Sequence, residues 1–355
     1  MKAVVVPEFG PPEVLRCDEM PTPTPGPGEA LLRIHTSGVN RLDVEMRAGV
    51  YGGEPLLDFY FGKEVRFPHI LGVEPAGVIE AVGNGVENLK VGDRAMPFSH
   101  VSCGHCSHCL AGFDNACARI QVLGVQTPGK GGYAEYITWP ANRLVTFTEE
   151  LSFEKAAALL VNYGPVWFGL AEKARLRPGE TLLVTGATGG CGIAAIQIGR
   201  LLGAKIIAVS SREEKRTLLM ELGADEVVIG KDPGWGEEVL EMTKGEGANV
   251  VCELVGAATW KDSCTAASIL GRIAVIGSHS GIKTELNLGE LFGKNLSLLG
   301  ITRSDRGGIE KVARLAELEK LRPHVWKSFA LTDAHLAHRA MEAREHTGKI
   351  VLTVS

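Results

Sequence analysis

The stretch 181–204 constrains this chain more than any other. It reads as a short apolar strand, TLLVT, then a glycine turn, Gly186-Ala187-Thr188-Gly189-Gly190-Cys191-Gly192, then a buried helix, IAAIQIGRLLGA. A strand with no polar alternation has to be covered on both faces, which is the condition of a strand inside a parallel sheet. The pattern continues downstream. KIIAVSS is followed by the helical REEKRTLLMELG, and NVVCEL (249–254) and RIAVIGS (272–278) supply further strands. Repeated strand–helix units with continuous apolar strands predict an α/β domain built on a doubly wound parallel sheet.

Within the turn, Ala187, Gly189 and Gly192 give the frame A-x-G-x-x-G. Glycine is wanted where backbone must approach a pyrophosphate and where a helix packs tightly on a strand, and the helix N-terminus adds N–H groups and a partial positive charge. A dinucleotide site is the expectation. NAD sites usually carry an acid about 20 residues after the glycines, on the ribose hydroxyls. Here that place holds Ser210 and Ser211, with Arg212, Lys215 and Arg216 close behind. A carboxylate repels a 2′-phosphate, whereas hydroxyls and a guanidinium bind one. NADPH is therefore expected ahead of NADH. In the competing reading Glu213 or Glu214 serves the ribose and the basic residues are a solvated helix face. Val255 and Gly256, and Ile276, Gly277 and Ser278, close the next two strands and complete the expected cofactor contacts.

The first 150 residues have another character. Strand-like EALLRIHTSGV (29–39), AGVIEAV (76–82) and GYAEYITW (132–139) are separated by turn signals, which points to an antiparallel, barrel-like unit. Two helical stretches after about residue 290 lead into a last strand, GKIVLTV (348–354), expected to return to this first unit. Inside it, Cys103, Cys106, Cys109 and Cys117 form C-x2-C-x2-C-x7-C. Four thiolates so closely spaced surround one tetrahedral Zn²⁺ and leave no open position, which describes a structural site. An iron–sulfur cluster, or a site that holds no metal, is the other reading of such a set, and His105 and His108 are read as exposed spacers. The remaining cysteines of the eight read as small buried hydrophobes.

A net charge of −5 gives no basic face for a nucleic acid. No signal peptide is read in the opening residues, and no apolar run approaches a membrane span, so a cytoplasmic protein is expected.

With these motifs, and with MKAVVV, GVEPAGVIEAVG (72–83), GDRA (92–95), GGYAEY (131–136) and LGADEVV (222–228), the chain resembles the medium-chain dehydrogenase/reductases, the superfamily of zinc alcohol dehydrogenases and quinone reductases. The resemblance spans essentially the whole length. It implies a GroES-like antiparallel barrel domain (1–150 and 291–355, with the zinc lobe at 100–118), a Rossmann NADP-binding domain (151–290), an active site in the cleft, and a homodimer or homotetramer. It also implies what is missing. The three positions that hold the catalytic zinc in zinc-dependent members fall on Asn40, on Val73 and near Val161–Asn162. Valine cannot bind zinc and an amide oxygen is a poor ligand. Asp43 and Glu74 remain where the family places acids behind the metal.

Without a Lewis acid a simple ketone is a hard substrate, whereas a quinone or an α,β-unsaturated carbonyl delocalises the incoming charge. NADPH-dependent reduction of such acceptors is the expectation, with Asn40 and Asn162 as candidate donors to the oxygen and Tyr163 as candidate proton donor. An alcohol dehydrogenase or carbonyl reductase is the alternative, and a non-enzymatic NADPH-binding protein a second one. Tyr51, Phe59, Tyr60 and Phe61, in the segment 51–68, read as a pocket lid or a packed surface loop.

Overall fold

The computed structural model describes residues 1–55 and 65–354, so Phe59, Tyr60 and Phe61 lie outside the described residues. The chain divides into two compact units: Met1–Val161 with Asp305–Glu319 and Pro323–Ser355, and Asn162–Ser304 with Lys320–Arg322. Both boundaries differ from those expected at 150/151 and 290/291. At the first, residues after 150 bond within the first unit: Arg94 Nη2 donates to Leu151 O at 2.7 Å, and Phe153 stacks on His35. At the second, Ser297–Gly300 is a strand of the parallel sheet, in register with Arg272–Val275.

In the first unit the central strand is Glu29–Val39. Glu74–Val82 and Tyr136–Pro140 pair with it antiparallel, as does the last strand, Lys349–Thr353, through Ile350↔Val39 to Thr353↔Thr36. The expected return of the chain end is thus observed. Val325–Ala330 then adds to the last strand in parallel. The expected strand 132–139 begins only at Tyr136, because its opening turns aside. Gly132 N–H bonds to Gly72 O at 2.7 Å, and a Cβ at Gly131 would lie 2.2 Å from Ile70 O. Glycine permits that approach. The helix Arg41–Ala48 follows the central strand at once, its N-terminus fixed by Asp43, which accepts the N–H of Asn40 at 2.8 Å.

The second unit is a six-stranded, wholly parallel sheet in the order Glu226–Ile229, Lys205–Ser210, Thr181–Val184, Ala248–Glu253, Ala267–Val275, Ser297–Gly300. Leu182, Leu183 and Val184 are fully buried, as a strand covered on both faces requires. Chain order reverses across Thr181–Val184, and in open α/β sheets ligands bind at the carboxyl ends of strands flanking such a reversal. Among the described residues no helix is long and apolar enough to cross a membrane.

Candidate functional site

At that reversal the glycine turn meets the helix Gly190–Leu201. A Cβ on Gly192 would lie 2.5 Å from Gly186 O, so this glycine answers to close helix–turn packing. A Cβ on Gly189, the residue before the helix, would have no neighbour nearer than Gly186 O at 3.6 Å. Open space therefore faces a helix N-terminus whose first N–H groups have no helical partner, which fits a phosphate. Asn162 packs on the same helix turn. A Cβ on Gly190 would meet its Oδ1 at 2.5 Å, and the Cys191 thiol donates to that oxygen at 3.7 Å.

Tyr163 is 1 % exposed and its hydroxyl donates to Gln197 Oε1 at 3.2 Å. Burial pushes its pKa well above the ordinary phenol value. The expectation of a proton donor does not fit this placement, because the hydroxyl sits in the core of the unit.

On one side of the turn, Ser210 is buried and its Oγ accepts the Arg212 N–H at 3.1 Å, ordering the bend. Arg216 grips Glu213 with two bonds, 2.6 and 3.0 Å, and also donates to Val227 O. Glu213 is thus paired with Arg216 at the exposed start of the helical segment that follows. Lys215 is held below the usual lysine range by burial and by the neighbouring Arg212 guanidinium. The Glu214 carboxylate, 3.8 Å from Arg212 Nη1, offsets part of that effect. Ser211 is exposed at the same bend.

On the other side, Gly256 (φ 102°) approaches so closely that a Cβ would lie 2.7 Å from Ser278 Cα, and a Cβ on Gly277 would lie 2.2 Å from Leu254 O. Ile276 and Gly277 both donate their N–H to Glu253 O. The structure thus brings 255–256 and 276–278 together, as expected of one wall of a site. Glu253 escaped sequence reasoning. The available signal was a charge closing the apolar run NVVCEL.

At the three positions that the resemblance assigns to a catalytic zinc, the side chains are engaged within the protein. Val73 is a buried core residue. Glu74, also buried, accepts from the Val161 N–H at 2.8 Å and from Asn40 Nδ2 at 3.3 Å, and pairs with Lys349 Nζ at 2.7 Å. Lys349 Nζ also donates to Asn40 Oδ1. Both ends of the Asn40 amide therefore have partners inside the unit. Asp43 accepts from Asn40 N–H and Gly72 N–H, and burial raises its carboxyl to about 6. His69 is buried against Gly124 O at 2.8 Å. Asn40, Val73 and Val161–Asn162 offer no thiolate or imidazole, the Glu74 carboxylate is paired with Lys349, and Asp43 is occupied by two backbone N–H groups, so the set does not fit a catalytic zinc. Lys349 was also missed from sequence, although a lone lysine opening an apolar terminal strand was the sign.

Beneath this network, Tyr133 Oη and His338 Nε2 lie 3.1 Å apart, both wholly buried, and Arg47 pairs with Glu342. Burial, aided by the Arg47 charge, depresses His338 to about 3. The depressed value means that only the unfolded chain takes up this proton near neutrality, so stability present above pH 6.5 drains as pH falls toward 3. Between about pH 7.5 and about pH 5 this amounts to about 2 kcal/mol. Asp43, raised rather than lowered, works in the opposite sense over part of that range. Denaturant melts at both pH values should show His338→Gln gaining about 2 kcal/mol relative to the parent at the lower pH; equal pH responses would refute the assignment.

The cysteine lobe is preformed. Cys106 Sγ lies 3.5 Å from Cys109 Sγ and 4.0 Å from Cys117 Sγ, and all four sulfurs fall within 4.8 Å of one another. A tetrahedron with Zn–S of about 2.3 Å has edges of about 3.8 Å. Cys117 Sγ accepts the N–H groups of Cys103 and Arg119, both at 3.3 Å, which orients it toward the other sulfurs. The set fits a structural zinc. Arg143 anchors the lobe through Asp114 at 2.5 Å and Ser102. His105 and His108 are exposed spacers. Among the described residues no other cluster of three or more His, Cys, Asp or Glu has metal-binding geometry.

Residues 26–149 match the alcohol dehydrogenase GroES-like domain family, and residues 190–318 the zinc-binding dehydrogenase family. Quinone oxidoreductase of Rattus norvegicus is 30 % identical over 99 % of this chain and 97 % of its own length. Acryloyl-coenzyme A reductase of Sulfurisphaera tokodaii is 29 % identical over 99 % of each. A crystal structure of an NAD-dependent alcohol dehydrogenase superposes with a TM-score of 0.93 at 38 % identity, covering all of both chains. The chain belongs to the medium-chain dehydrogenase/reductase superfamily and is an oxidoreductase with a GroES-like domain and a Rossmann domain.

Proposed function

We propose that this oxidoreductase transfers hydride from NADPH to a quinone or to the C=C bond of an α,β-unsaturated carbonyl, without a catalytic metal. The observation that carries this reading is the buried Glu74–Lys349 pair, whose carboxylate also binds Asn40 and the Val161 N–H, where the resemblance would put a catalytic zinc. NADPH supplies the hydride and solvent or a protein group supplies the proton. The chain's own contribution is to bind the dinucleotide, orient the acceptor and exclude water. A conjugated acceptor suits such a site because its anion is far less basic than an alkoxide, so a neutral donor such as the Asn162 amide suffices, whereas the Asn40 amide is already engaged. The quinone oxidoreductase and acryloyl-CoA reductase relatives support acceptors of this type. The alcohol dehydrogenase likeness supports carbonyl reduction as the second reading.

The clustered Arg212 and Lys215, with Glu213 held by Arg216, favour NADPH over NADH. One charge-assisted phosphate contact is worth roughly 1.5–3 kcal/mol, so Arg212→Ala should narrow the NADPH/NADH affinity ratio by about ten- to a hundredfold. Calorimetric titration checks this, and equal affinities in the parent would remove the argument. Ser297–Gly300 closes one edge of the parallel sheet, flanked by exposed Leu270 (71 %) and Phe292 (76 %). An open edge with apolar neighbours favours self-association, a homodimer or homotetramer, in the cytoplasm.

A further inference from the structure

Glu253 is fully buried at the end of the strand Ala248–Glu253. Among the described residues, the groups that donate to its carboxylate are neutral hydroxyls and backbone N–H groups. Oε1 accepts from Thr185 Oγ1 at 3.0 Å, Thr259 Oγ1 at 2.8 Å, Val255 N–H at 2.8 Å and Gly256 N–H at 2.9 Å, while Ser263 Oγ donates to Oε2. Burying a carboxylate is costly unless donors surround it, and an apolar side chain would fill the same volume without that cost. What a carboxylate adds is direction. It holds two successive N–H groups of the loop at a single oxygen.

Thr185 extends the arrangement to the next strand. It immediately precedes Gly186 of the glycine turn, and its Oγ1 accepts the Leu254 N–H at 2.9 Å while donating to Glu253. One hydroxyl and one carboxylate therefore lock the start of the glycine turn to the loop Leu254–Gly256. Strand order places Ser210–Lys215 on one side of Thr181–Val184 and this loop on the other. A dinucleotide crossing the turn then has its 2′-phosphate half on the first side and its other half on the second.

We propose that Glu253 and Thr185 are a positioning pair that presets the loop 254–256 for the half of the cofactor remote from the 2′-phosphate. The inference rests on the reading of this unit as an NADPH site. Its test is titration of the full-length parent, Thr185→Val and Glu253→Gln with NADPH and, separately, with 2′,5′-ADP, which carries only the adenosine half. Thr185→Val should weaken NADPH about tenfold, the scale of a lost buried hydrogen bond, and leave 2′,5′-ADP within about twofold. Glu253→Gln keeps an oxygen for the loop and should fall between parent and Thr185→Val. A purely structural role moves the melting temperature of the unliganded protein but not the ratio of the two affinities. An unchanged ratio in Thr185→Val, whether both affinities hold or both fall together, overturns the proposal. A parent that binds neither ligand refutes instead the reading of the unit as an NADPH site.

Discussion

Replacing Lys349 by methionine is expected to destabilise the chain by about 3–5 kcal/mol, the usual cost of leaving a buried charge without its partner. Lys349 and Glu74 side chains are only 4 % and 3 % exposed, and their 2.7 Å pair lies far from solvent screening. Loss of the ammonium removes the charge partner of Glu74 and the donor to Asn40 Oδ1. The double variant Lys349→Met/Glu74→Gln removes the stranded charge and should recover a substantial part of the loss, since the two sites are in contact and their effects are not additive. Urea unfolding of the four proteins of this cycle checks the account. A single-variant cost below about 1 kcal/mol would assign the pair the modest worth of an exposed ion pair.

What the sequence revealed and what it concealed divide along physical lines. The strand Glu29–Val39 was legible to the residue, because its apolar and β-branched residues are bounded by the turn-rich PTPTPGPG before it. The parallel sheet was legible because TLLVT, KIIAVSS and NVVCEL lack polar alternation. The four cysteines declared a closed metal site by spacing alone, and the sulfurs do converge. The boundary at 304/305 was hidden because Ser297–Gly300 is a short strand whose residues are partly exposed, with none of the signal of a covered strand. Lys349 and Glu253 were hidden for another reason. Each is a single charge within an apolar segment, and its partners, Glu74 in one case and Thr185 in the other, stand 275 and 68 residues away. Tyr163 misled because its place in the chain beside Asn162 gives no hint that its side chain turns inward to Gln197.

The second large effect is expected at the cysteine lobe. Cys106→Ser removes one of four thiolates whose sulfurs lie within 4.8 Å, and binding of a structural zinc is itself folding free energy for the loop that holds it. Bound zinc should fall from about one per chain to well below, and the lobe should become the first site of limited proteolysis. The rate of NADPH oxidation per folded molecule should change by less than about threefold, because a closed tetrahedral site offers no coordination position to a substrate. Elemental analysis with proteolysis reads the first two effects. Full zinc retention with unaltered protection would show that the four thiolates do not share one metal.

The central claim is that hydride transfer here proceeds without a metal at Asn40, Val73 and Val161–Asn162. Its most direct test is a set of steady-state rates taken before and after brief chelator treatment, with zinc content measured on the same samples. NADPH oxidation by a quinone or an enone should persist through treatment, with no more than about one zinc per chain at the outset, and oxidation of simple primary alcohols by NADP⁺ should be negligible. Robust alcohol oxidation that the chelator abolishes and added zinc restores, accompanied by a second zinc per chain, would contradict the account.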